Sequence, residues 1–475
     1  MPTGDAHVAW CTVAWRSACP VRRGYTPGTR SILSSMIARL SYTLLWVLAL
    51  PIVLLRLSWR ARLQPGYLRN VGERLGRYPV RTPARVIWIH AVSVGETRAA
   101  EPLVRALLAR CPDHSILITH MTPTGRETSR TLFGDDARVL RVYLPYDMGP
   151  FVRSFLNHFR PDFGVIMETE LWPNLLHACR ERGVPVVLAN ARLSERSARR
   201  YARWPALTAM TLGALSAIGC QTEGDARRLE ALGAKGIAVT GNIKFDVEAP
   251  DKLLALGQTF RERAGRRPVV LAASTREGEE AQILDAFAAQ APPEALLALV
   301  PRHPQRFDEV ARLIAAHGLK LQRRSDDTAV AADTRVWLGD TMGEMFAYYA
   351  AADVALLGGS WLPFGGQNLI EGCVVGTPVI MGPHTFNFSL IADQAVECGA
   401  ARRAENVPAG ISVAIDLLRH AETRAHAGAA GKGFAAAHRG ATARTMKIIE
   451  GLVARDSGGQ NPPGRTQPAA ASPTR

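Results

Sequence analysis

Three carboxylates stand directly after predicted strands, where a strand gives way to a helix. Glu96 follows the strand that ends at His90, and Glu168 and Glu170 follow the strand that ends at Met167. Ligands of open α/β sheets bind at the carboxyl ends of the strands, so a carboxylate placed there can serve as a general base. Each position also has a structural alternative, because Glu96 can complement a helix dipole and Glu170 can cap a helix.

A lysine lies at the junction between the two halves of the chain. Lys244 belongs to the segment 241–246, in a chain with six lysines among its 57 basic residues. A cation at the junction of two domains can contact a ligand bound there. The alternative is a solvated surface charge.

The second half of the chain repeats a pattern that suits a phosphate group. Residues 301–304 end one predicted strand and begin a helix, where free N–H groups and an arginine can bind an anion. Residues 339–344 repeat this arrangement. The Gly-rich segments 358–360 and 365–371 lead into another helix, where Glu371 can accept hydrogen bonds from ribose hydroxyls. Together, at successive strand ends of one sheet, these segments predict a nucleotide site.

The elements that must position these residues are strands alternating with helices. This alternation predicts parallel sheets, and residues 246–266 separate two series of strands, so we expect two doubly wound α/β domains facing a cleft. No Gly-x-Gly-x-x-Gly or Walker motif opens either half, which favours a transferase using another nucleotide over dinucleotide oxidoreductases and P-loop ATPases. The predicted strands are 86–89, 115–119, 138–143, 163–167, 184–189, 216–220, 269–272, 295–300, 336–338, 354–357 and 378–381.

Composition places the chain among folded proteins with a polyanionic partner. Its 475 residues are 47% hydrophobic, which is typical of globular domains, and its net charge is +15. The first 100 residues hold 14 arginines and 3 acidic residues, or +11 of that charge, around an apolar run. Seven scattered cysteines without a Cys-x-x-Cys pair indicate reduced thiols in the cytosol, the alternative being one disulfide or a reactive thiol.

The apolar run predicts a membrane anchor. Sixteen uncharged residues lie between Arg39 and Arg56, fewer than the ~20 of a full span, and Pro51 would kink a helix there. A short or tilted span and a helix lying in the interface both fit. The alternative of a cleaved signal peptide lacks a small-residue cleavage site. The positive-inside rule places the downstream domains in the cytoplasm, on the basis of Arg56, Arg60, Arg62, Arg69, Arg74 and Arg77.

The sequences of the two chain ends differ in pattern and composition from the domains between them. Met36 begins a stretch that is typical of a natural start, so residues 1–35 are interpreted as a mis-assigned start or a disordered extension. The tail 456–475, rich in Gly, Pro, Ser and Gln, is predicted to be disordered. The resulting division is an anchor helix at 36–62, a first domain at 63–245 and a second domain at 246–455.

Eight motifs, in order, give the chain a specific resemblance over about residues 36–455. It resembles the 3-deoxy-D-manno-octulosonic acid (Kdo) transferases, which have the GT-B fold. The motifs are Ser-Val-Gly-Glu (93–96), Met-Thr-Pro-Thr-Gly (121–125), Leu-Pro-Tyr-Asp (144–147), Met-Glu-Thr-Glu-Leu-Trp-Pro-Asn (167–174), Asn-Ala-Arg-Leu-Ser (190–194), Pro-Arg-His-Pro (301–304), Gly-Asp-Thr-Met-Gly-Glu (339–344) and Met-Gly-Pro-His-Thr-Phe-Asn-Phe (381–388).

The resemblance implies inverting transfer of Kdo from the co-substrate CMP-Kdo to a lipid A precursor on the cytoplasmic face of the inner membrane. It implies Glu96 as the base and Glu168 and Lys244 as groups that support the transition state, with Glu170 a weaker addition. No metal is required by these residues, although Mg²⁺ could act on the lipid phosphates. Gln367 departs from members that carry His there. The implied CMP contacts are Pro301, Arg302, Met342, Gly343, Glu344, Asn368, Leu369, Ile370 and Glu371.

Two other functions remain as alternatives at this point. The first is a GT-B epimerase or another nucleotide-sugar transferase, for which UDP rather than CMP would compete. The second is a non-catalytic, membrane-attached protein that binds polyanions. A nucleic-acid binder would carry its basic residues on one folded face with interleaved aromatics, whereas this chain concentrates them beside the apolar run, so no nucleic-acid partner is expected.

Overall fold

A computed structural model describes residues 29–63 and 65–457, which form two compact units. The first unit holds the described residues up to Ile243 and again from Gly440, and the second is Lys244–Arg439. Each unit contains one seven-stranded parallel sheet. These are the two sheets of the GT-B fold.

The first sheet has the strand order β3-β2-β1-β4-β5-β6-β7. The interior strand β1 pairs with β2 and β4, and all of its residues are buried because helices cover both faces of a parallel sheet. The elements are α1 (Thr29–Leu63), α2 (Val71–Arg74), β1 (Val86–His90), α3 (Val94–Arg110), β2 (Ser115–His120), α4 (Pro123–Phe133), β3 (Val139–Tyr143), α5 (Gly149–Phe159), β4 (Phe163–Met167), α6 (Pro173–Glu181), β5 (Val186–Ala191), α7 (Glu195–Ala202), α8 (Pro205–Leu212), β6 (Ala217–Cys220), α9 (Glu223–Ala231) and β7 (Ile237–Val239).

The second sheet has the order β10-β11-β9-β8-β12-β13-β14. Its elements are α10 (Asp251–Ala264), β8 (Val269–Thr275), α11 (Glu279–Gln290), β9 (Leu296–Pro301), α12 (Phe307–Ala316), β10 (Leu321–Arg323), β11 (Val336–Leu338), α13 (Met345–Ala351), β12 (Val354–Leu357), α14 (Ile370–Val375), β13 (Val379–Met381), α15 (Ser389–Glu397), β14 (Ala401–Arg403), α16 (Val407–Arg419) and α17 (Ala421–His438). A last helix, α18 (Ala441–Ser457), follows in the first unit.

Close packing between β1 and β4 fixes the two strands that lead to the carboxylates. Trp88 and Gly164 are paired across the strands, and a Cβ on Gly164 would lie 2.5 Å from the Trp88 ring. The indole Nε1–H donates to Thr119 on β2 at 2.8 Å, so the ring has one position. Only glycine fits at residue 164, which explains a small residue inside a buried strand.

The second unit is shorter than the expected domain 246–455. Residues 440–457 belong to the first unit because Ala441 and Ile449 are buried in a core that also contains Leu103 and Leu107 of α3. Arg444 donates from Nε to the carbonyl of Thr240 at 2.7 Å in the same unit. The division between the units falls at 243/244, two residues before the predicted one.

The ends of the chain also differ from the expectation where they are described. Helix α1 begins at Thr29, so residues 29–35 are helical rather than unstructured, and Asp456 and Ser457 continue α18. The prediction of disorder for residues 1–28 and 458–475 falls outside the described residues.

Candidate active site

Glu96 lies in the first turn of α3, immediately after β1, and only 8% of its surface is exposed. The hydroxyl of Ser93, the N-cap residue, accepts the N–H of Glu96 at 3.4 Å. The Glu96 carboxylate accepts the N–H of Val92 at 2.8 Å and the hydroxyl of Ser93 at 2.9 Å. The carboxylate therefore takes part in the helix start, and the same bonds hold it in one orientation at the rim of the sheet.

The environment of Glu96 raises its pKa to about 7. Burial is the largest cause, because it disfavours the ionised form, and the negative charges of Glu168 and Glu170 add to the increase. The hydrogen bonds from Val92 and Ser93 act in the opposite direction. A carboxyl group with a pKa near the working pH is well matched to proton transfer.

Glu168 and Glu170 follow β4, the neighbour of β1 in the sheet. Glu168 has a left-handed backbone (φ 56°), which is uncommon for a residue with a side chain, and its N–H donates to Ala189 on β5 at 2.9 Å. Burial and the charge of Glu168 raise the pKa of Glu170. The structure thus brings the three predicted carboxylates of this domain to adjacent strand ends, where they interact.

The alternative role of Glu170 as the cap of α6 is wrong. The N-cap of α6 is Trp172, which makes no capping hydrogen bond with its side chain. The carboxylate of Asp147 instead accepts the N–H groups of Asn174 and Leu175 at 3.0 and 2.8 Å. Glu168 and Glu170 are therefore not needed for helix capping.

Lys244 is half-buried in a short turn, Ile243–Phe245, at the start of the second unit. Its Nζ lies 5.8 Å from the centre of the Phe388 ring, within the range of a cation–π contact. Phe245 stacks on His438 at 4.7 Å. The lysine is held by packed neighbours and is not a fully solvated charge.

The second unit gathers the predicted nucleotide segments at one edge. Strands β11, β9, β8 and β12 are consecutive and parallel, so the loops after them leave the same edge of the sheet. Pro301 ends β9, and the N–H of Arg302 donates to Thr275 of β8 at 3.0 Å. After β11, Met342 is 56% exposed, Gly343 has φ 85°, and Glu344 accepts from Arg324 at 3.1 Å.

In the segment 368–371, fewer side chains than predicted are accessible to a ligand at this edge. Asn368 accepts the N–H of Ile370 at 3.1 Å, forming a turn at the start of α14. The side chains of Leu369 and Ile370 are fully buried in the core of the unit, so only backbone atoms of these two residues remain for a ligand. Glu371 is half-buried in the first turn of α14.

A buried carboxylate not identified from the sequence orders the Gly-rich loop. Glu279, in the first turn of α11, is fully buried, and its carboxylate accepts the N–H groups of Gly359 at 2.7 Å, Trp361 at 3.0 Å and Arg276 at 2.9 Å. The adjacent Glu280 pairs with Arg306, which follows the Arg302 segment. The signal that could have found them is the one used for Glu96, acidic residues directly after a strand.

The described residues hold no group of three or more His, Cys, Asp or Glu arranged to bind a metal ion. The fold and the site define a GT-B-type α/β enzyme with three carboxylates at adjacent strand ends. Residues 69–247 match the family of the 3-deoxy-D-manno-octulosonic-acid transferases (kdotransferases). The chain belongs to this Kdo transferase family, because relatives more than 30% identical to it over most of both lengths carry the same name.

Two relatives support this assignment, and one solved structure shares the fold. A 3-deoxy-D-manno-octulosonic acid transferase of Bordetella pertussis is 45% identical over 79% of this chain and 90% of its own length. The enzyme of the same name from Haemophilus influenzae is 38% identical over 88% of this chain and 99% of its own. The crystal structure of Anabaena Alr3699/HepE in complex with UDP shares the fold, with a TM-score of 0.52 and 14% identity, over 78% of this chain and all of that one.

Proposed function

We propose that the chain transfers Kdo from CMP-Kdo to a lipid A precursor, with inversion at the anomeric carbon and Glu96 as the general base. Glu96 takes the proton of an acceptor hydroxyl, the oxygen bonds to the anomeric carbon of Kdo, and CMP leaves with the electron pair of the broken bond. The observation that carries this proposal is the Glu96 carboxyl group, oriented by Val92 and Ser93 and with a pKa of about 7.

Glu168 and Lys244 are proposed to support the transition state. Glu168 follows the strand next to β1, and its charge acts on Glu96. A negative charge there also suits the positive charge that develops at the anomeric carbon. Lys244 supplies a positive charge for the leaving group or for the carboxylate of Kdo. Glu170 contributes through its effect on the pKa of Glu96.

The nucleotide of CMP-Kdo is proposed to bind at the edge of the second sheet. Arg302 supplies charge for the phosphate, and the Gly-rich loop allows its backbone to approach the ligand. The remaining proposed contacts are Pro301, Met342 to Glu344, Asn368, the backbone of Leu369 and Ile370, and Glu371. These groups can carry the leaving charge without a metal ion.

Arg302→Ala is expected to weaken CMP binding by roughly 1.5–3 kcal/mol, the contribution of a charge-assisted hydrogen bond. Titration calorimetry with CMP measures the effect directly. Arg312→Ala is the matched control, because Arg312 is exposed on α12 and should leave the dissociation constant unchanged. An unaltered affinity in Arg302→Ala would mean that the nucleotide binds elsewhere.

The acceptor is proposed to be reached from the cytoplasmic face of the inner membrane. One helix of the described residues, at 34–62, has the length and composition of a membrane segment, with a mean hydropathy of 2.0 and 6% of its most apolar window buried. Five exposed arginines, Arg56, Arg60, Arg62, Arg69 and Arg77, accompany it, whereas Arg74 is buried against Tyr143 and does not belong to this surface. Apolar and basic surfaces side by side suit a substrate with acyl chains and phosphates.

The proposal is tested by incubating the purified chain with CMP-Kdo and the tetraacylated lipid A precursor, lipid IV-A. Mass spectrometry should detect the precursor with added Kdo, and the number of added sugars is read from the mass. A parallel reaction with a UDP-sugar is the control and should add nothing. The absence of any Kdo adduct would overturn the proposed acceptor or donor.

A further inference from the structure

Helix α1 has two faces that continue along its length. The outer face is apolar and exposed, reaching 64% at Leu48 and 72% at Leu55. The inner face is half-buried or buried, and its residues recur at helical spacing, from Tyr42 to Ala61. The outer residues are Met36, Ile37, Leu40, Leu44, Leu45, Val47, Leu48, Ile52, Leu55 and Trp59.

The inner face is docked on the first unit by polar and aromatic contacts. Thr43 and Asn174 exchange hydrogen bonds between Oγ1 and the amide at 3.1–3.3 Å, and the Tyr42 hydroxyl donates to Asp147. The Trp46 ring lies 5.9 Å from Tyr146 and 6.5 Å from Trp172.

The docking continues to the other end of the apolar run. Leu57 and Ala61 are buried at 8% exposure, and Arg60 lies over the ring of Tyr67 at 5.4 Å. At about 1.5 Å per residue, the docked stretch from Tyr42 to Ala61 is about 29 Å long, which equals the hydrocarbon thickness of a bilayer.

Because α1 is docked over that length, the surface of the first unit that contacts it must lie at the same depth in the membrane as the helix. If α1 crossed the bilayer, the Asp147 carboxylate and the amide of Asn174 would lie at membrane depth together with the body of the unit. Ionisable and polar groups at that depth are costly, and lipid-exposed loops do not occur in the hydrocarbon region. The docked geometry is therefore compatible with a helix that lies along the membrane surface.

We infer that α1 lies in the plane of the membrane interface, with its outer face in the lipid and its inner face on the first unit, and does not cross the bilayer. The lipid surface it fits is anionic, because α7 adds three exposed arginines, Arg196, Arg199 and Arg200, next to α8, the helix on which α1 packs. Trp204, 61% exposed at the start of α8, suits the headgroup region. The inference rests on the proposed membrane function and specifies its geometry.

The side on which the N-terminus lies tests the inference. The full chain is expressed in a Gram-negative host with an epitope tag before Met1, and right-side-out and inverted membrane vesicles are prepared and treated with protease. We expect the tag and the first unit to be digested together in inverted vesicles and to be protected together in right-side-out vesicles. Digestion of the tag alone in right-side-out vesicles would show a crossing helix and overturn the inference, while membrane attachment would stand.

A salt wash separates this outcome from a failure of the proposed membrane function. Before protease treatment, vesicles are washed at about 1 M salt, where the Debye length is about 3 Å and surface charges are screened. The chain should stay bound, because the binding of the apolar outer face of α1 to lipid does not depend on charge. Release of the full chain by the wash would overturn both the attachment of the outer face to lipid and the inference. Leu48→Glu on the outer face should be released, whereas Glu101→Gln, on the surface of α3, should stay bound.

Discussion

Replacing Glu96 with glutamine is expected to lower kcat for Kdo transfer by ~10²–10⁴-fold, the usual contribution of a general base. Glutamine keeps the size of the side chain and one acceptor oxygen for the N–H of Val92, so the start of α3 should persist. CMP affinity should be unchanged, because the proposed CMP contacts lie in the other unit. Single-turnover transfer and calorimetry with CMP measure the two effects separately.

Glu101→Gln is the matched control, because Glu101 lies on the same helix and pairs with Arg105 at the surface. It should leave the rate of transfer near that of the unaltered chain. Near-normal turnover in Glu96→Gln would remove Glu96 from the mechanism.

The pH profile distinguishes a base from a structural carboxylate. A base must be ionised, so the rate should rise with pH through the Glu96 pKa of about 7. Glu170→Gln removes a like charge that raises this pKa, and the rise should move to lower pH. An acidic limb that stays in place in Glu170→Gln would contradict the coupling.

Replacing Glu279 with alanine is expected to release the Gly-rich loop of the second unit. The change removes the acceptor of the N–H groups of Gly359, Trp361 and Arg276, and it leaves buried donors without a partner. A hydrogen bond to a charged acceptor contributes about 1.5–3 kcal/mol, so the loss of two or more such bonds costs at least about 3 kcal/mol. At about 1.4 kcal/mol per tenfold change, amide exchange in the segment 358–362 should accelerate by at least ~100-fold.

Hydrogen exchange measured by mass spectrometry checks this effect on the full chain. Glu277→Ala is the control, because the Glu277 side chain is 50% exposed and pairs with Arg276 at the surface. Glu279→Gln, which keeps the volume and one acceptor oxygen, should give a smaller acceleration. Unchanged exchange at residues 358–362 in Glu279→Ala would mean that other contacts hold the loop.

The central strands could be predicted from the sequence, whereas the edge strands could not. The predicted strands 163–167, 336–338 and 354–357 are observed with the same bounds, because buried parallel strands are continuous apolar runs. The strands β7, β10 and β14 were missed. Each is three residues long, partly exposed and at the end of a sheet; β10 and β14 carry polar residues, and the apolar run of β7 is only three residues long.

Features of the candidate site that depend on local contacts could be predicted, whereas those that depend on distant contacts could not. The position of Glu96 after β1 follows from the local order of strand and helix. The sequence gives no sign that Asp147 caps α6 from 27 residues away, or that Glu279 binds a loop 80 residues later, because such pairs meet only in the folded sheet. The hydrogen bonds that join Glu96 to Val92 and Ser93 at the start of α3 are local. The raised pKa of Glu96, in contrast, depends on burial by the whole unit.

The return of α18 to the first unit sets an order for folding on the ribosome. The second unit is one continuous segment, Lys244–Arg439, whose core can close as soon as that segment has emerged. The synthesis of the first unit begins earlier, but this unit lacks Ala441 and Ile449 of its core until the whole second unit has been synthesised. The unit that carries Glu96 is therefore the later of the two to finish folding, and a nascent chain has a complete second unit before it has a complete first unit.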